Sequence, residues 1–416
     1  MTLKRVVVTG IGALTPLGKT MPETWHNMIN GVSGAGPITQ FNAEKFKTKF
    51  ACELKGYEAT DYFDKKEARK LDPCAQFGII AATQAVEDSG MDLEKSNLER
   101  IGVIWGSGIG GLKTFLDEVS DYARGDGTPR FNPFFIPKMI ADITAGHISI
   151  KFGFMGPNFT TVSACASSAN ALSDAFNYIR LGKADAFVTG GSEASINEAG
   201  IGGFNALHAI STRNDDPKTA SRPYDLNRDG FVLGEGGCAM IFEELEHARA
   251  RGAKIYAEVV GAGLSGDAYH MTAPHPEGLG AKNCMREAIL DAGLKPEDID
   301  HINTHGTSTP VGDVAEPKAI MSLFGDHATK ILVNSTKSMT GHLLGAAGAI
   351  EAASCVMAVK EGIIPPTINH FDDDPDIPKL NFVFNKAVKK NITYALSNTF
   401  GFGGHNASII FKKFDE

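Results

Sequence analysis

The stretch Val6-Val-Val-Thr-Gly-Ile-Gly-Ala-Leu14 has a counterpart in the second half of the chain, Glu258-Val-Val-Gly-Ala-Gly-Leu264. Both pair a short apolar run with closely spaced glycines. Both lead to a helical pattern that ends in a glycine, Gly90 in the first copy and Gly293 in the second. Strands that alternate with helices are typical of α/β proteins with parallel or mixed sheets. The repeated order favours a duplicated α/β domain over a chance resemblance between two α/β segments.

The other segments fit the same α/β architecture. Short apolar runs predict buried strands at residues 6–8, 101–105, 186–189, 238–242, 256–260, 331–334 and 409–411. Helical spacing predicts helices at residues 75–89, 166–181, 281–292 and 348–361, the last two amphipathic. We expect the two halves to span residues 1–255 and 256–416. Residues 117–154 match neither copy, and we expect them to form an inserted cap that lines a pocket or a subunit contact.

The composition is that of a globular protein. Hydrophobic residues make up 43% of the 416 residues and charged residues 21%. No window approaches the roughly 18 uncharged apolar residues that span a bilayer, and the N-terminus lacks the pattern of a signal peptide. We therefore expect a cytoplasmic protein with no membrane partner. The net charge of −9 argues against a nucleic-acid partner, and six cysteines without a C-x-x-C pair predict reduced thiols.

One cysteine stands in a context that favours chemistry. In Thr161-Val-Ser-Ala-Cys165-Ala-Ser-Ser-Ala-Asn-Ala-Leu172 a β-branched stretch gives way to helical spacing at the cysteine. A sharp strand-to-helix turn would place Cys165 at a helix N-terminus, as in a nucleophile elbow. We expect the free N–H groups and the helix dipole to lower the thiol pKa from about 8.5 and to bind an oxyanion. The alternative is a buried cysteine that only packs.

Two histidines and a lysine in the second half are candidate partners of this cysteine. His305 and His342 both lie at glycine-marked turns after strand patterns, where open α/β sheets bind ligands. Lys337 lies five residues before His342, and the set is a candidate catalytic site. Zinc is disfavoured because His301 and His305 would lie about 13 Å apart on a strand. The stretch Gly106-Ser-Gly-Ile-Gly-Gly111 lacks the spacing of a dinucleotide site.

These residues, together with the turn Phe400-Gly-Phe-Gly-Gly-His-Asn-Ala-Ser408, resemble the β-ketoacyl-[acyl-carrier-protein] synthases of the thiolase superfamily. The resemblance covers nearly the whole chain, and the cysteine, histidines and lysine occur in the family's order. It implies a thiolase-like α/β fold in which duplicated βαβαβαββ halves form a five-layered αβαβα arrangement. It also implies a homodimer that requires no cofactor, because phosphopantetheine arrives on the acyl carrier protein.

The resemblance implies a decarboxylative condensation. Cys165 would take the acyl chain from the carrier as a thioester, with the backbone N–H groups of Cys165 and Phe402 as the oxyanion hole. Malonyl carrier would then lose CO₂, and the resulting carbanion would attack the thioester. His305 and His342, kept neutral by the charge of Lys337, could each donate a hydrogen bond to the enolate oxygen. Decarboxylation itself makes the carbanion, so no strong base is needed.

The resemblance also assigns residues around this centre. Phe400 resembles a gate between the acyl pocket and the malonyl site. Ile109 and Phe204 resemble walls of the acyl pocket, with ordinary core packing as the alternative. Glu351 would anchor Lys337 or help to bind a cation, unless it is a solvated helix residue. Thr307 and Thr309 would contact pantetheine, and Asp267 and His270 would order the malonyl side. A candidate Na⁺ or K⁺ site would be formed by Asn303, Glu351, Ser397 and Asn398. No transition metal is expected.

A basic patch should recruit the strongly acidic carrier protein. The segment that matches the family's docking position carries four basic residues, although it could also be an ordinary solvated helix face: Lys65, Lys66, Arg69 and Lys70. The chain departs from the family at two positions. His208 stands where many relatives carry Arg, so docking would be weaker or depend on Arg213. Pro73 stands where relatives usually continue a helix.

Three other functions are weighed against this one. A type II polyketide or aryl-polyene ketosynthase would share the fold and the chemistry but act on a different substrate. A non-catalytic chain-length partner subunit would lack the nucleophile, so Cys165 argues against it. A cysteine hydrolase would need one histidine polarised by Asn or Asp rather than two histidines and a lysine.

Overall fold

The computed structural model describes residues 3–415 and shows strands and helices in alternation. The strands are β1 Val6–Leu14, β2 Gly36–Pro37, β3 Phe50–Ala51, β4 Ile101–Gly106, β5 Asn158–Thr161, β6 Ala186–Glu193, β7 Gly236–Glu244, β8 Ala257–Gly266, β9 His301–Asn303, β10 Leu332–Asn334, β11 Ile363–Ile364, β12 Asn381–Phe382, β13 Val388–Lys389, β14 Tyr394–Gly401 and β15 His405–Lys413. The helices are α1 Met21–Ile29, α2 Lys65–Ala68, α3 Pro73–Ser89, α4 Leu112–Arg124, α5 Phe135–Met139, α6 Ile143–Phe152, α7 Ser167–Arg180, α8 Glu198–Ala206, α9 Leu245–Ala250, α10 Leu279–Asp291, α11 Gly312–Phe324, α12 Lys337–Thr340 and α13 Ala347–Glu361. Every strand and helix predicted above overlaps one of these elements. Among residues 3–415, no helix is long and apolar enough to span a bilayer.

One mixed sheet contains both copies of the duplicated unit. Its strand order is β12-β10-β9-β14-β15-β8-β1-β7-β6-β4-β5. The copies meet where β1 and β8 pair antiparallel, through residues 6–8 and 257–259. Outward from that junction, β1-β7-β6-β4-β5 and β8-β15-β14-β9-β10 run through the same sequence of antiparallel and parallel neighbours. The expected division after residue 255 falls between α9 and β8.

Glycines in the first strand of each copy allow a helix to pack directly on the sheet backbone. A Cβ at Gly10 or Gly12 would lie 2.2 or 2.1 Å from a carbonyl oxygen of α3. A Cβ at Gly261 or Gly263 would lie 2.4 or 2.1 Å from a carbonyl oxygen of α10. Any side chain at these positions would push the helix off the strand, so the glycines mark close backbone approach. The glycine pattern that repeats in the sequence thus corresponds to equivalent helix–strand packing.

The helices complete five layers. Helices α7 and α13 contact strands of both copies and lie between them, whereas α3 with α6 covers one outer face and α10 with α11 covers the other. The expectation that α13 is amphipathic is wrong, because its residues Ala347 through Val359 are all buried. A helix packed between the two halves of the sheet has no solvent-facing side over this length, so its apolar residues and the charged Glu351 are buried alike.

The segment expected to form a cap divides into two parts. Helix α6 packs on α3 and β4, as α11 packs on α10 in the second copy, so α6 belongs to the outer layer. Helices α4 and α5 pack on each other and expose large apolar side chains, among them Phe115, Tyr122, Phe134 and Ile136. The inserted part therefore begins with α4 and ends before α6, rather than covering residues 117–154.

Candidate active site

The turn that carries Cys165 is sharp and closely bonded. β5 ends at Thr161, Ala164 has a φ of 50°, and α7 begins at Ser167. The Ser167 hydroxyl accepts a hydrogen bond from the N–H of Ser163 at 2.9 Å and donates one to the carbonyl of Ala164 at 2.7 Å. A left-handed φ in a residue other than glycine persists only where its surroundings hold it. The structure thus shows the strand-to-helix turn that the sequence predicts, with Cys165 at its apex.

The pKa of the Cys165 thiol is determined more by burial than by the N-terminus of the helix. The residue is 9% exposed, and burial raises the pKa of its thiol to about 12, against the charge of Lys337 and the N–H groups of Phe402 and Cys165. The expected lowering of this pKa is wrong, because the loss of water outweighs the favourable dipoles. The side chain of Cys165 is therefore a thiol at neutral pH. The two N–H groups that favour the thiolate, those of Phe402 and Cys165, are the ones expected for the oxyanion hole.

His305 and His342 lie edge to face in the same cavity. Their ring centroids are 5.2 Å apart at an interplanar angle of 85°, and the ring of Phe400 lies 5.7 Å from that of His305. Burial, and after it the charge of Lys337, lowers the pKa of both histidines well below the usual value. Both are neutral as expected, although burial contributes more than the lysine. The Nδ1 atom of each is buried without a hydrogen-bond partner among residues 3–415.

The charge behind the cavity comes from a buried ion pair. Lys337, the first residue of α12, donates to a carboxylate oxygen of Glu351 on α13, and both side chains are 1% exposed. Burial raises the pKa of Glu351 to about 7, an effect that Lys337 opposes. The Lys337 charge also shifts the pKa values of Cys165, His305 and His342. One buried cation therefore acts on Cys165 and on both histidines.

Two buried carboxylates that the sequence interpretation missed hold the turns of the site. Glu316 on α11 accepts the N–H groups of His305 and the next residue, both at 3.0 Å, and burial raises its pKa to about 7. Glu193 at the end of β6 accepts the N–H groups of Gly108 at 2.8 Å and Gly345 at 3.0 Å. Each stands among small or apolar residues, and this pattern is the signal that could have indicated a buried acid.

A cavity of about 520 Å³ opens beside the nucleophile. Ten of the predicted site residues line it: Cys165, His305, His342, Phe400, Phe402, Ile109, Phe204, Thr307, Thr309 and Asp267. Lys337 acts from behind the cavity wall. His270 does not line the cavity; it is exposed, and its Nδ1 accepts the N–H groups of Thr272 at 3.1 Å and Ala273 at 3.2 Å. It therefore orders the loop that brings those two residues to the cavity.

The residues expected to hold a monovalent cation lie beside this centre. Asn303 and Ser397 are paired on the neighbouring strands β9 and β14. Asn303 Oδ1 and Glu351 Oε2 are buried and, within residues 3–415, accept no hydrogen bond, so both oxygens suit a hard cation. Asn398 is less suited, because its Oδ1 already accepts a hydrogen bond from Ser408 at 2.7 Å. The described part of the chain has no group of three His, Cys, Asp or Glu residues that could hold a metal.

The expected docking residues are all exposed on or beside α2: Lys65, Lys66, Arg69 and Lys70. Pro73 is the first residue of α3 and is preceded by the N-cap Asp72, so it separates α2 from α3. His208 is exposed at the cavity with a φ of 53°. Arg213 is half-buried and donates to the carbonyl of Asn227 at 2.8 Å, so its guanidinium is already engaged within the fold.

The family to which the chain belongs agrees with this geometry. Residues 3–248 match the family model of the β-ketoacyl synthase N-terminal domain, and residues 256–371 match that of the C-terminal domain. The chain therefore belongs to the β-ketoacyl synthase family, a class of acyltransferases.

Several proteins are similar to this chain over nearly its full length. The 3-oxoacyl-[acyl-carrier-protein] synthase 2 of Staphylococcus aureus (strain COL) is 49% identical over 413 residues, which cover 99% of each chain. The protein of that name from Synechocystis is 48% identical over 411 residues, 99% of this chain and 98% of the relative. A β-ketoacyl synthase from Burkholderia phymatum STM815 superposes with a TM-score of 0.92 at 34% identity, over 99% of this chain and 100% of the other. A structure of a type II polyketide acyl-carrier protein with its ketosynthase bound to the hexaketide gives 0.90 at 32%, with the same coverage.

Proposed function

We propose that this protein condenses acyl carrier protein thioesters with malonyl carrier protein, giving CO₂ and a 3-oxoacyl carrier two carbons longer, as the elongation step of fatty-acid synthesis. One observation carries the proposal. Cys165 shares a single cavity with two neutral histidines, His305 and His342, under the buried charge of Lys337. The names of the full-length relatives support the same substrates.

In the first half-reaction the sulfur of Cys165 attacks the acyl thioester. A bond forms between this sulfur and the acyl carbon, the bond to the pantetheine sulfur breaks, and the proton of Cys165 ends on the released pantetheine thiol. The N–H groups of Cys165 and Phe402 stabilise the negative oxygen of the tetrahedral intermediate. Since burial raises the pKa of the thiol, the proton must leave as the bond forms. The charge of Lys337 favours the developing thiolate.

In the second half-reaction the malonyl group loses CO₂, and the electron pair of the broken C–C bond forms an enolate. His305 and His342, each a neutral imidazole, donate ring N–H groups to the enolate oxygen. The enolate carbon attacks the acyl carbon on Cys165, and the C–S bond breaks. Cys165 leaves as a thiolate and takes up a proton. Because the loss of CO₂ itself produces the enolate, the reaction needs no base strong enough to remove an α-proton.

Acylation and decarboxylation can be tested separately. Incubation with a long-chain acyl carrier should leave an acyl adduct on Cys165, detected by mass spectrometry after digestion; a protein without this adduct contradicts the mechanism. His342→Ala should abolish release of CO₂ from malonyl carrier while acylation continues. Equal loss of both activities would show that the role of His342 is misassigned. His26→Ala, which changes an exposed histidine of α1, should alter neither activity.

We propose that the carrier docks on the basic residues around α2. The opposite charges would speed encounter and weaken with added salt. Lys66→Glu combined with Arg69→Glu should raise KM for acyl carrier, most at low salt, and leave the KM of an acyl-pantetheine unchanged. The charge-matched pair Lys389→Glu and Lys390→Glu, exposed elsewhere on the chain, is the control. An equal rise for both substrates would contradict docking at α2.

We propose a homodimer formed at the β5 edge of the sheet. β5 ends the strand order, so one of its sides has no neighbouring strand within residues 3–415. Nearby, the hydroxyl of Thr160 and the Oδ1 of Asn170 are buried without partners in that range, and Val162 is 59% exposed. A second copy would pair the free strand edge and cover this surface. Sedimentation should give twice the mass of the chain; a monomer at micromolar concentration contradicts the dimer.

The remaining proposed roles concern residues that contact the acyl chain, pantetheine or the malonyl group, and residues near the Lys337 charge. Phe400 as gate, Ile109 and Phe204 as acyl-pocket walls, and Thr307 with Thr309 as pantetheine contacts all line the cavity, which supports these roles. We propose that Asp267 and His270 order the malonyl side of the cavity. We also propose that the oxygen atoms near Glu351 bind a Na⁺ or K⁺ ion. A cytoplasmic location stays a prediction.

A second candidate is a type II polyketide ketosynthase, favoured by the similarity to the ketosynthase bound to the hexaketide. It would use the same nucleophile and histidines. Condensation assays with saturated acyl carriers of increasing length, beside carriers of poly-β-keto chains, separate the two. Preferred turnover of saturated chains supports fatty-acid elongation, and preferred turnover of poly-β-keto chains supports the alternative.

A further inference from the structure

The loop between β9 and α11 carries both chemistry and substrate contacts. It begins at His305, and its residues Thr307 and Thr309 line the cavity with their hydroxyl oxygens 3.0 Å apart. Helix α11, which follows the loop, accepts hydrogen bonds from the backbone N–H groups of the loop. Glu316 accepts those at the start of the loop, and Asp313 accepts that of Ser308 at 3.1 Å. The N–H groups at the start and middle of the loop are therefore fixed from α11.

The carbonyl groups at the end of the same loop are held from the other half of the chain. Arg228, which precedes β7, donates from Nε to the carbonyl of Thr309 at 3.1 Å and from Nη2 to the carbonyl of Pro310 at 2.8 Å. Its Nη1 donates to Asp374 at 2.6 Å and to the carbonyl of Asp225 at 2.9 Å. The Arg228 side chain is 4% exposed. A buried guanidinium with three of its groups bonded can hardly move relative to the loop.

We propose that Arg228 is a positioning residue for the pantetheine arm of the substrate. Its two bonds to consecutive carbonyls set the backbone of Thr309 and Pro310, and thereby fix how the hydroxyls of Thr307 and Thr309 face the cavity. A planar fork of donors is needed to hold two neighbouring carbonyls and one carboxylate at once, and a lysine ammonium lacks that geometry. This inference rests on the proposed function, because it assumes that pantetheine passes these two threonines.

The test compares two thioesters that react at the same cysteine. Acyl-pantetheine carries the whole arm, whereas the acyl thioester of N-acetylcysteamine keeps only its inner end. In Arg228→Lys, KM for acyl-pantetheine should rise about fivefold to tenfold, as expected for one hydrogen bond made less well, with kcat unchanged. The kcat/KM of the N-acetylcysteamine thioester should stay at the parent's value. An equal loss on both thioesters, or no loss on either, overturns the proposal.

Two further variants keep this test decisive. Asp374→Asn weakens the hold on Arg228 without changing the loop, so it should give a smaller change of the same kind even if Arg228→Lys folds poorly. Arg251→Lys alters a partly buried arginine that does not line the cavity and that donates hydrogen bonds to Glu243 and to the carbonyl of Ser89, and it should affect neither thioester. If the parent protein itself forms no acyl adduct on Cys165 with any thioester, the proposed function fails, and that outcome is distinct from the failure of Arg228.

Discussion

The buried neutral histidines should make stability depend on pH. Burial first, and Lys337 second, lowers the pKa of His305 and His342 well below 6.5 in the folded state, whereas both titrate near 6.5 in the unfolded chain. Below that pH the unfolded state binds more protons, so the free energy of unfolding falls as the pH falls. From pH 7.5 to pH 5.5 a histidine that stays neutral in the folded state throughout this range removes about 1.4 kcal/mol, and two such histidines remove about 2.7 kcal/mol.

Urea unfolding at the two pH values measures this loss. Other groups contribute, among them His301, whose pKa burial lowers to about 4, so the comparison is between the parent and His305→Gln with His342→Gln. The double variant should lose about 2.7 kcal/mol less than the parent between the two pH values. His26→Gln, at an exposed position of α1, is the control for the replacement of a histidine as such. A double variant with the parent's full loss would refute the reasoning, because the histidines would then accept protons in the folded state.

Two further predictions concern buried contacts. Glu351→Ala leaves the Lys337 ammonium buried without its partner, so it should lower the free energy of unfolding, measured in urea, by about 3–5 kcal/mol. Lys337→Met combined with Glu351→Leu removes both charges and should lower it less. An equal loss in the two variants would contradict a charged pair. Gly401→Ala would place a Cβ 2.7 Å from a carbonyl oxygen of the nucleophile turn and 3.1 Å from the nitrogen of Cys165, so acylation should slow about tenfold or more. Gly146→Ala, where a Cβ meets nothing within 4 Å, is its control, and an unchanged acylation rate for Gly401→Ala would show that the turn yields without moving the thiol.

The fold was predictable where its signals are local. Apolar runs located the strands, and the glycines at Gly10 and Gly261 marked the same packing in both copies because close approach of a helix excludes a side chain there. The environment of α13 was not predictable in this way. Strands β6 and β7 of the other half of the chain cover one of its faces, and no pattern within a helix indicates which distant strands will pack on it. The same holds for α6, whose place in the outer layer depends on α3.

The sequence predicted which side chains meet in the cavity, but it predicted their electrostatic state only in part. The neutrality of His305 was expected from Lys337, yet the pKa of Cys165 lies on the opposite side of its usual value from the prediction. The reason is physical: a terminal dipole can be inferred from local sequence, whereas the water that a side chain loses depends on tertiary packing. Glu316 and Glu193 were missed for a related reason. A buried carboxylate is stabilised by the turn that packs on it, and the sequence does not say which turn that is.

The packing of the two copies explains why only one of two equivalent turns carries a cysteine. The turns before α7 and α13 are equivalent, and each contains a residue with left-handed φ, Ala164 at 50° and Leu344 at 48°. The next residue is Cys165 in the first copy and Gly345 in the second. A Cβ at Gly345 would lie 2.2 Å from the nitrogen of Gly108, so the second turn has no room for a side chain. The first copy's own turn at Gly108 occupies that space. Two nucleophile elbows were therefore available by symmetry, and the packing of the copies against each other closes one and leaves the other open to the cavity.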